Sequence, residues 1–291
     1  MTNSVRANTD SPQLTEEMSH FLKDAKLQTL NITVGEKTLE VPLLTFESLQ
    51  VATKGTIVLV SDNQTQTGSV ANMAKLAKEL ANWGWNAILI TPTSEYLVSI
   101  SNNETNASES SDSDNDNNET STTAEENIPA PQTGIHASIW QTQELAYDLQ
   151  SYGVFLNTIV AEALKAPASQ MGFRLMLLEG QSAVVGMSTI MEQENTFQID
   201  GLVTINPYWL DYEVHKQVPM FIPKLQMPML DLLSPSDSAL ARKYAQQRQN
   251  SARVNLVKMY RQRTLLGAGL QSLPEQYVAK EIVGWTTFMG W

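Results

Sequence analysis

The sequence has no cysteine among its 291 residues and only three histidines. The missing thiols exclude disulfide bonds, thiolate metal sites and a cysteine nucleophile. Three dispersed histidines without an H-E-x-x-H spacing give no zinc site. The chain also lacks the motifs G-x-G-x-x-G and G-x-x-x-x-G-K, which bind dinucleotides and phosphates. We therefore predict that the protein carries neither a metal nor an organic cofactor.

Long apolar runs are missing as well. No stretch approaches the roughly 18 apolar residues that span a bilayer, so we expect no transmembrane segment. The first residues, MTNSVRANTDSPQ, lack the apolar stretch of a signal peptide. Two locations remain open: the periplasm or cell envelope, if a targeting segment preceded residue 1, and otherwise the cytoplasm.

Acidic residues outnumber basic residues, and the formal net charge is −12. The excess is concentrated between residues 101 and 134, where there is no Lys or Arg. That stretch holds eight acidic residues: Glu104, Glu109, Asp112, Asp114, Asp116, Glu119, Glu125 and Glu126. Without these eight, the rest of the chain carries a net charge of only −4, which gives no electrostatic case for binding nucleic acid. Because the stretch is polar and has no aromatic residue, we predict a disordered insertion there, and disorder also at residues 1–12.

Strands and helices alternate along most of the remaining chain. Two apolar, β-branched runs, residues 56–61 and 86–91, flank a helical pattern that begins at Ser69, which is typical of a βαβ unit with parallel strands. Further strands are predicted at residues 173–178, 198–205, 227–233 and 260–266, after a hairpin at residues 30–44. The alternation predicts an α/β fold, a doubly wound, mostly parallel sheet with helices on both faces. Residues 13–291 would form a single domain, interrupted by the acidic insertion.

A strand, a tight turn and a helix meet in FRLMLLEGQSAVV, residues 173–185. This layout is that of a nucleophile elbow, with Ser182 as the nucleophile. Gly180 supplies the small residue that a sharp turn requires. The N–H of Ala183 would lie near the helix N-terminus and stabilise an oxyanion. The pattern departs from G-x-S-x-G, since Val184 stands where the second glycine belongs, and a strand that leads into a helix with an incidental serine is the other interpretation.

Several segments resemble, in order and spacing, a family of uncharacterised α/β-hydrolase-like proteins from Gram-negative bacteria. They are KGTIVLVSDNQTQTG, WGWNAILITPT, the elbow, GLVTINPYW, and PMLDLLSPSDS followed by YRQRTLLGAG. The resemblance implies an α/β-hydrolase fold and an envelope location. It also implies the chain order nucleophile, acid, histidine, which assigns Asp237 as the acid, unless Asp237 only caps the next helix. The second oxyanion donor would come from the backbone of Asp62 and Asn63.

The histidine of this pattern is missing. It should follow the last strand, but the chain reads Gly267-Ala268-Gly269-Leu270, and no histidine occurs after His215. A serine hydroxyl without an adjacent base is a poor nucleophile. We therefore predict a hydrolase-fold protein with an incomplete triad, acting as a non-catalytic or weakly active binding protein of the envelope. The alternative is a serine hydrolase of the esterase class that uses Ser182, Asp237 and a relocated His215.

Ligand binding has one further candidate, the cluster Asn206-Pro207-Tyr208-Trp209 at the end of a predicted strand. Aromatic and polar groups at such a place can stack on and hydrogen-bond a small molecule. Tyr208 and Trp209 are therefore candidate ligand-binding residues, although they would also serve to cover the edge of the core. A small-molecule ligand or substrate is the expected partner. The acidic insertion is a second candidate for binding, to a basic partner or to divalent cations, and the sequence identifies no protein partner.

Overall fold

The structure of the chain is a computed structural model. It describes residues 21, 23–34, 37–61, 69–90, 149–165, 172–192, 197–234, 239–265 and 275–291. The two segments predicted to be disordered, residues 1–12 and 101–134, lie outside these ranges.

The described residues form an eight-stranded sheet with the spatial order β1-β2-β4-β3-β5-β6-β7-β8. Its strands are β1 (Lys26–Val34), β2 (Lys37–Phe46), β3 (Gly55–Val60), β4 (Trp85–Ile90), β5 (Phe173–Glu179), β6 (Gly201–Ile205), β7 (Met229–Leu233) and β8 (Tyr260–Thr264). β1 and β2 form the predicted antiparallel hairpin, β2 joins β4 antiparallel, and every other pair is parallel. The prediction of a mostly parallel sheet is confirmed.

Eight α-helices connect or cover these strands in the described ranges. They are α1 (Val70–Asn82), α2 (Leu149–Leu164), α3 (Gly180–Glu192), α4 (Tyr212–His215), α5 (Val218–Phe221), α6 (Ala239–Lys243), α7 (Ala245–Val254) and α8 (Glu275–Phe288). α1 begins where the sequence predicts, because the hydroxyl of Ser69 accepts a hydrogen bond from the N–H of Asn72. The polar, helix-forming sequence of residues 239–253 predicts one helix, but the structure has two, which meet at Tyr244.

Two hydrophobic clusters, one on each face of the sheet, form the core. One joins side chains of α2 and α3 to the sheet, for example Phe155 and Val185. The other joins side chains of α1 and α8, for example Leu76 and Ile282. All six residues of β3 and of β4 are buried, as expected for central parallel strands covered on both sides. The doubly wound architecture is therefore confirmed.

Helices α2 and α3 pack against each other at small residues. A Cβ atom at Gly153 would lie 2.7 Å from the hydroxyl oxygen of Thr189 on α3. The glycine thus permits a close helix–helix contact, and α2 continues through it without a break. This contact holds α2 directly beside α3, the helix at whose first turn the candidate site begins.

Candidate active site

The carboxyl ends of the central strands meet at one edge of the sheet, where ligands of open α/β sheets bind. In the strand register, Val60 pairs with Leu178, and Glu179 pairs with Ile205. Asn206, which follows β6, accepts a hydrogen bond at its side-chain oxygen from the N–H of Ser234, 2.7 Å away, after β7. The ends of β5, β6 and β7 are thereby tied together. Sequence reasoning did not single out Glu179, a fully buried carboxyl group at this edge.

The turn between β5 and α3 is made by Gly180, whose φ is +62°. Left-handed backbone of this kind is costly for residues with a side chain, and glycine adopts it freely. In a nucleophile elbow the nucleophile itself occupies the strained turn between strand and helix. Here that position belongs to Gly180, which has no side chain to react. Ser182 comes two residues later, inside the first turn of α3.

Ser182 points into the protein and not out of the sheet edge. It is fully buried, and its hydroxyl lies 2.6 Å from the phenolic oxygen of Tyr152 on α2. Ala183 is also fully buried, within the same helical turn. The sequence predicts Ser182 at the turn itself, but the structure places both residues farther along, inside the helix. With Gly180 at the turn, the backbone N–H that follows it belongs to Gln181 and not to Ala183.

His215 lies at the end of α4, with both ring nitrogens engaged. Its Nδ1 accepts the backbone N–H of Trp209 at 3.1 Å, and its Nε2 lies 2.9 Å from the carbonyl oxygen of Leu240. These two partners require the neutral tautomer with hydrogen on Nε2. Burial lowers the pKa of the imidazole below its ordinary value, and the nearby Arg248 and Lys243 lower it further, against the opposing effect of the Leu240 carbonyl.

Among the described residues, Ser182 and His215 share no hydrogen bond. Each is hydrogen-bonded to a different partner in the described part of the chain: the serine to a tyrosine of α2, and the histidine to two backbone groups. A base must reach the proton that it abstracts, with a heavy-atom distance of about 3 Å. The predicted role of His215 as a relocated base is therefore not supported by its geometry.

Tyr208 and Trp209 follow β6, close to the elbow, since the N–H of Tyr208 donates to the carbonyl of Gly180 at 3.3 Å. Both side chains are buried, and Trp209 belongs to the hydrophobic core. They present little surface on which a ligand could stack. The interpretation that they cover the edge of the core describes their position better than a role in ligand binding does.

Three predicted site residues, Asp237, Asp62 and Asn63, lie outside the described residues, as does Leu270. Their predicted roles stay predictions. Among the described residues, no group of three or more His, Cys, Asp or Glu side chains is arranged to hold a metal ion. None of the described helices is both long and apolar enough to cross a membrane.

A buried ionic network, not predicted from the sequence, is centred on Asp231 in β7. Its carboxylate accepts hydrogen bonds from Nε of Arg248 at 2.8 Å, from the hydroxyl of Tyr260 at 2.7 Å and from Nε2 of Gln262 at 2.9 Å. Thr204 donates to the other carboxylate oxygen at 3.2 Å. The side chains of Asp231 and Arg248 are both fully buried. The network ties α7 and β8 to the centre of β7.

The phenol of Tyr260 titrates under the influence of this network. Burial raises its pKa above the ordinary value, and the negative charge of Asp231 raises it further, against the opposing charge of Arg248. Burial alone would lower the pKa of Arg248, but the charge and hydrogen bonds of Asp231 raise it. A neutral phenol and a charged ion pair are thus the stable state, which suits a structural role and not proton transfer.

Comparison with known proteins places this architecture in a recognisable group. Residues 6–287 match the family described as "Protein of unknown function (DUF3530)". No curated protein sequence matches the chain.

Several solved structures share the fold. A dienelactone hydrolase from Anabaena variabilis is 14% identical, with a TM-score of 0.52, and the match covers 91% of this chain and 98% of that one. The esterase domain of a Rhodothermus marinus protein is 10% identical, with a TM-score of 0.54 and coverages of 90% and 98%. A putative dienelactone hydrolase from Klebsiella pneumoniae is 12% identical, with a TM-score of 0.55 and coverages of 92% and 98%. At these identities the likeness establishes the α/β-hydrolase fold alone.

Proposed function

The chain belongs to the family described as "Protein of unknown function (DUF3530)", and from this premise we propose that it is a hydrolase-fold protein that binds ligands or partners without efficient hydrolysis. One observation carries the proposal: the turn of the elbow is occupied by Gly180, with φ +62°. A hydrolase of this fold presents its nucleophile from that turn. Glycine offers no nucleophile there.

The surroundings of Ser182 support the same proposal. A nucleophilic serine needs a neighbouring base, and the neighbour of this hydroxyl is the phenol of Tyr152. The two hydroxyl oxygens lie 2.6 Å apart, and both side chains are buried. A serine in this setting behaves as a buried hydrogen-bonding residue that joins α2 to α3.

Hydrolysis of p-nitrophenyl acetate tests the proposal. We expect the wild-type protein and Ser182→Ala to release nitrophenol at the same rate, close to that of buffer with an equal amount of an inert protein. Ser188→Ala is the matched control, because Ser188 is another buried serine of α3. A wild-type rate orders of magnitude above that background, abolished by Ser182→Ala and kept by Ser188→Ala, would refute the proposal.

The location in the cell envelope is part of the proposal and is supported by the family resemblance described above. Fractionation of cells that express the full-length gene tests it. Recovery with the periplasmic or membrane fraction is expected, and recovery with the cytosol alone would contradict this part. That outcome leaves the proposal about hydrolysis unaffected, since the latter depends on Gly180 and Ser182.

A further inference from the structure

Positive charge is concentrated in one segment of this acidic chain. Between Asp237 and Glu275 the sequence has seven Lys or Arg residues and no Asp or Glu, although the whole chain carries a net charge of −12. Arg253 and Lys258 in this segment are exposed, and neither has an ion pair within the described part of the chain. The end of α7 and the loop that leads to β8 therefore form a cationic surface.

Exposed apolar side chains stand among these cations. Val254 is 74% exposed, Leu256 is 79% exposed and Met259 is 45% exposed, all within six residues. Single exposed apolar residues are ordinary, but a cluster bordered by charge marks a site of contact with a protein or a membrane. We call residues 253–259 the α7–β8 loop surface.

The backbone beneath Leu256 adds an independent observation. Helix α7 ends in a Schellman motif, in which the N–H of Val257 bonds the carbonyl of Ala252 and the N–H of Leu256 bonds the carbonyl of Arg253. Such a motif puts its central residue in the left-handed region, and glycine is the usual choice. Here the residue is Leu256, with φ +55°. A glycine at this position would avoid both the backbone strain and the exposure of a leucine side chain. Backbone strain of this kind is concentrated at functional positions.

A cavity opens beside the strained leucine. Its volume is about 590 Å³, and Leu256, Arg253 and Lys258 lie on its wall with Gln249 and Asn250. None of the described residues that line it is acidic. Two cations suit an anionic group, and the exposed leucine suits an apolar chain attached to that group.

We infer that the α7–β8 loop surface docks the protein onto an anionic phospholipid membrane, with the cavity receiving a lipid phosphate head group. Apolar residues enter the boundary of head groups and acyl chains while neighbouring cations attract the anionic lipid. The combination of exposed apolar and cationic side chains favours this occupant over a purely acidic protein, which would leave the apolar residues without a partner. The surface shares no residue with the elbow, so the inference does not depend on the proposal about hydrolysis.

Sedimentation with vesicles of phosphatidylglycerol and phosphatidylcholine in equal parts tests the inference on the full chain. We expect binding that weakens as salt is added, and no binding to pure phosphatidylcholine vesicles. Leu256→Gly should weaken binding about ten-fold or more, because it removes a leucine from the contact. The same variant should melt at an unchanged or higher temperature, because glycine relieves the left-handed strain. Arg253→Gln with Lys258→Gln should lose about 25-fold, at about five-fold for each charge.

Matched controls use other exposed positions. Leu49→Gly removes an equally exposed leucine elsewhere, and Lys26→Gln with Lys165→Gln removes two exposed cations, so neither should change vesicle binding by more than about two-fold. Binding that fails to occur, or that falls equally in the controls, overturns the inference. Binding of glycerol 3-phosphate to the protein without any binding to the anionic vesicles would overturn it in favour of a small-anion site. A concentration-dependent dimer that Leu256→Gly abolishes would overturn it in favour of self-association.

Discussion

The substitution Asp231→Asn tests how far one buried charge pair holds the sheet to α7. Asp231 and Arg248 meet at 2.8 Å with both side chains fully buried. Asparagine keeps the size of the side chain but removes the negative charge. The guanidinium would then remain buried without a counter-charge, and the hydrogen bonds from Tyr260 and Gln262 would lose a charged acceptor. Breaking a buried pair in this way costs about 3–5 kcal/mol of the free energy of unfolding.

The chain offers a matched comparison at the surface. Lys78 and Asp24 also meet at 2.8 Å, but each side chain is about half exposed, at 47% and 46%. Solvent screens such a pair, so Asp24→Asn should cost less than about 1 kcal/mol. Urea unfolding of both variants measures the two losses in free energy of unfolding, provided that the dependence of this free energy on urea concentration is the same in both. Similar small losses in the two variants would refute the reasoning that burial makes the Asp231 charge indispensable.

Two further predictions concern backbone packing and pH. Gly55→Ala should lower the free energy of unfolding by about 3 kcal/mol, because a Cβ there would lie 1.9 Å from the carbonyl oxygen of Phe173 on the next strand. Gly284→Ala should instead raise the free energy of unfolding by about 0.5–1 kcal/mol, because a Cβ at this position of α8 would have no atom within 4 Å. Urea unfolding measures both variants, and equal effects would contradict both predictions. His215, whose pKa burial lowers, takes up a proton more readily when unfolded. The contribution of His215 to stability should therefore be full above about pH 6.5 and be lost as pH falls below that value, and His215→Gln should remove this part of the pH dependence. An unchanged pH profile of urea unfolding in the variant would contradict the assignment.

The buried strands were predictable from sequence because their burial on both faces requires continuous apolar runs. β3 and β4 lie within one residue of the predicted limits, as does β5. The predicted helix divides at Tyr244, a buried residue whose ring contacts His215, and helical periodicity does not report such a tertiary contact. In sequence, a glycine inside a helical pattern indicates either a break or a close contact, and at Gly153 only the packing against Thr189 distinguishes the two.

The candidate site was less predictable. Ser182 fits the nucleophile motif because it is the only serine near the turn, yet the residue at the turn is identified by its φ angle, which sequence does not give. Asp231 was overlooked because it stands alone in an apolar strand, and its partner Arg248 lies 17 residues away on a polar helix. A single charged residue in a predicted buried strand was the available signal, because such a charge must find a partner.

The central claim, that the elbow holds no reactive serine, is tested most directly with a fluorophosphonate probe and the intact mass of the protein. The account predicts no mass increase in the wild-type protein under conditions that label an active serine esterase in the same tube. Labelling of the wild-type chain that disappears in Ser182→Ala and persists in Ser188→Ala would contradict it.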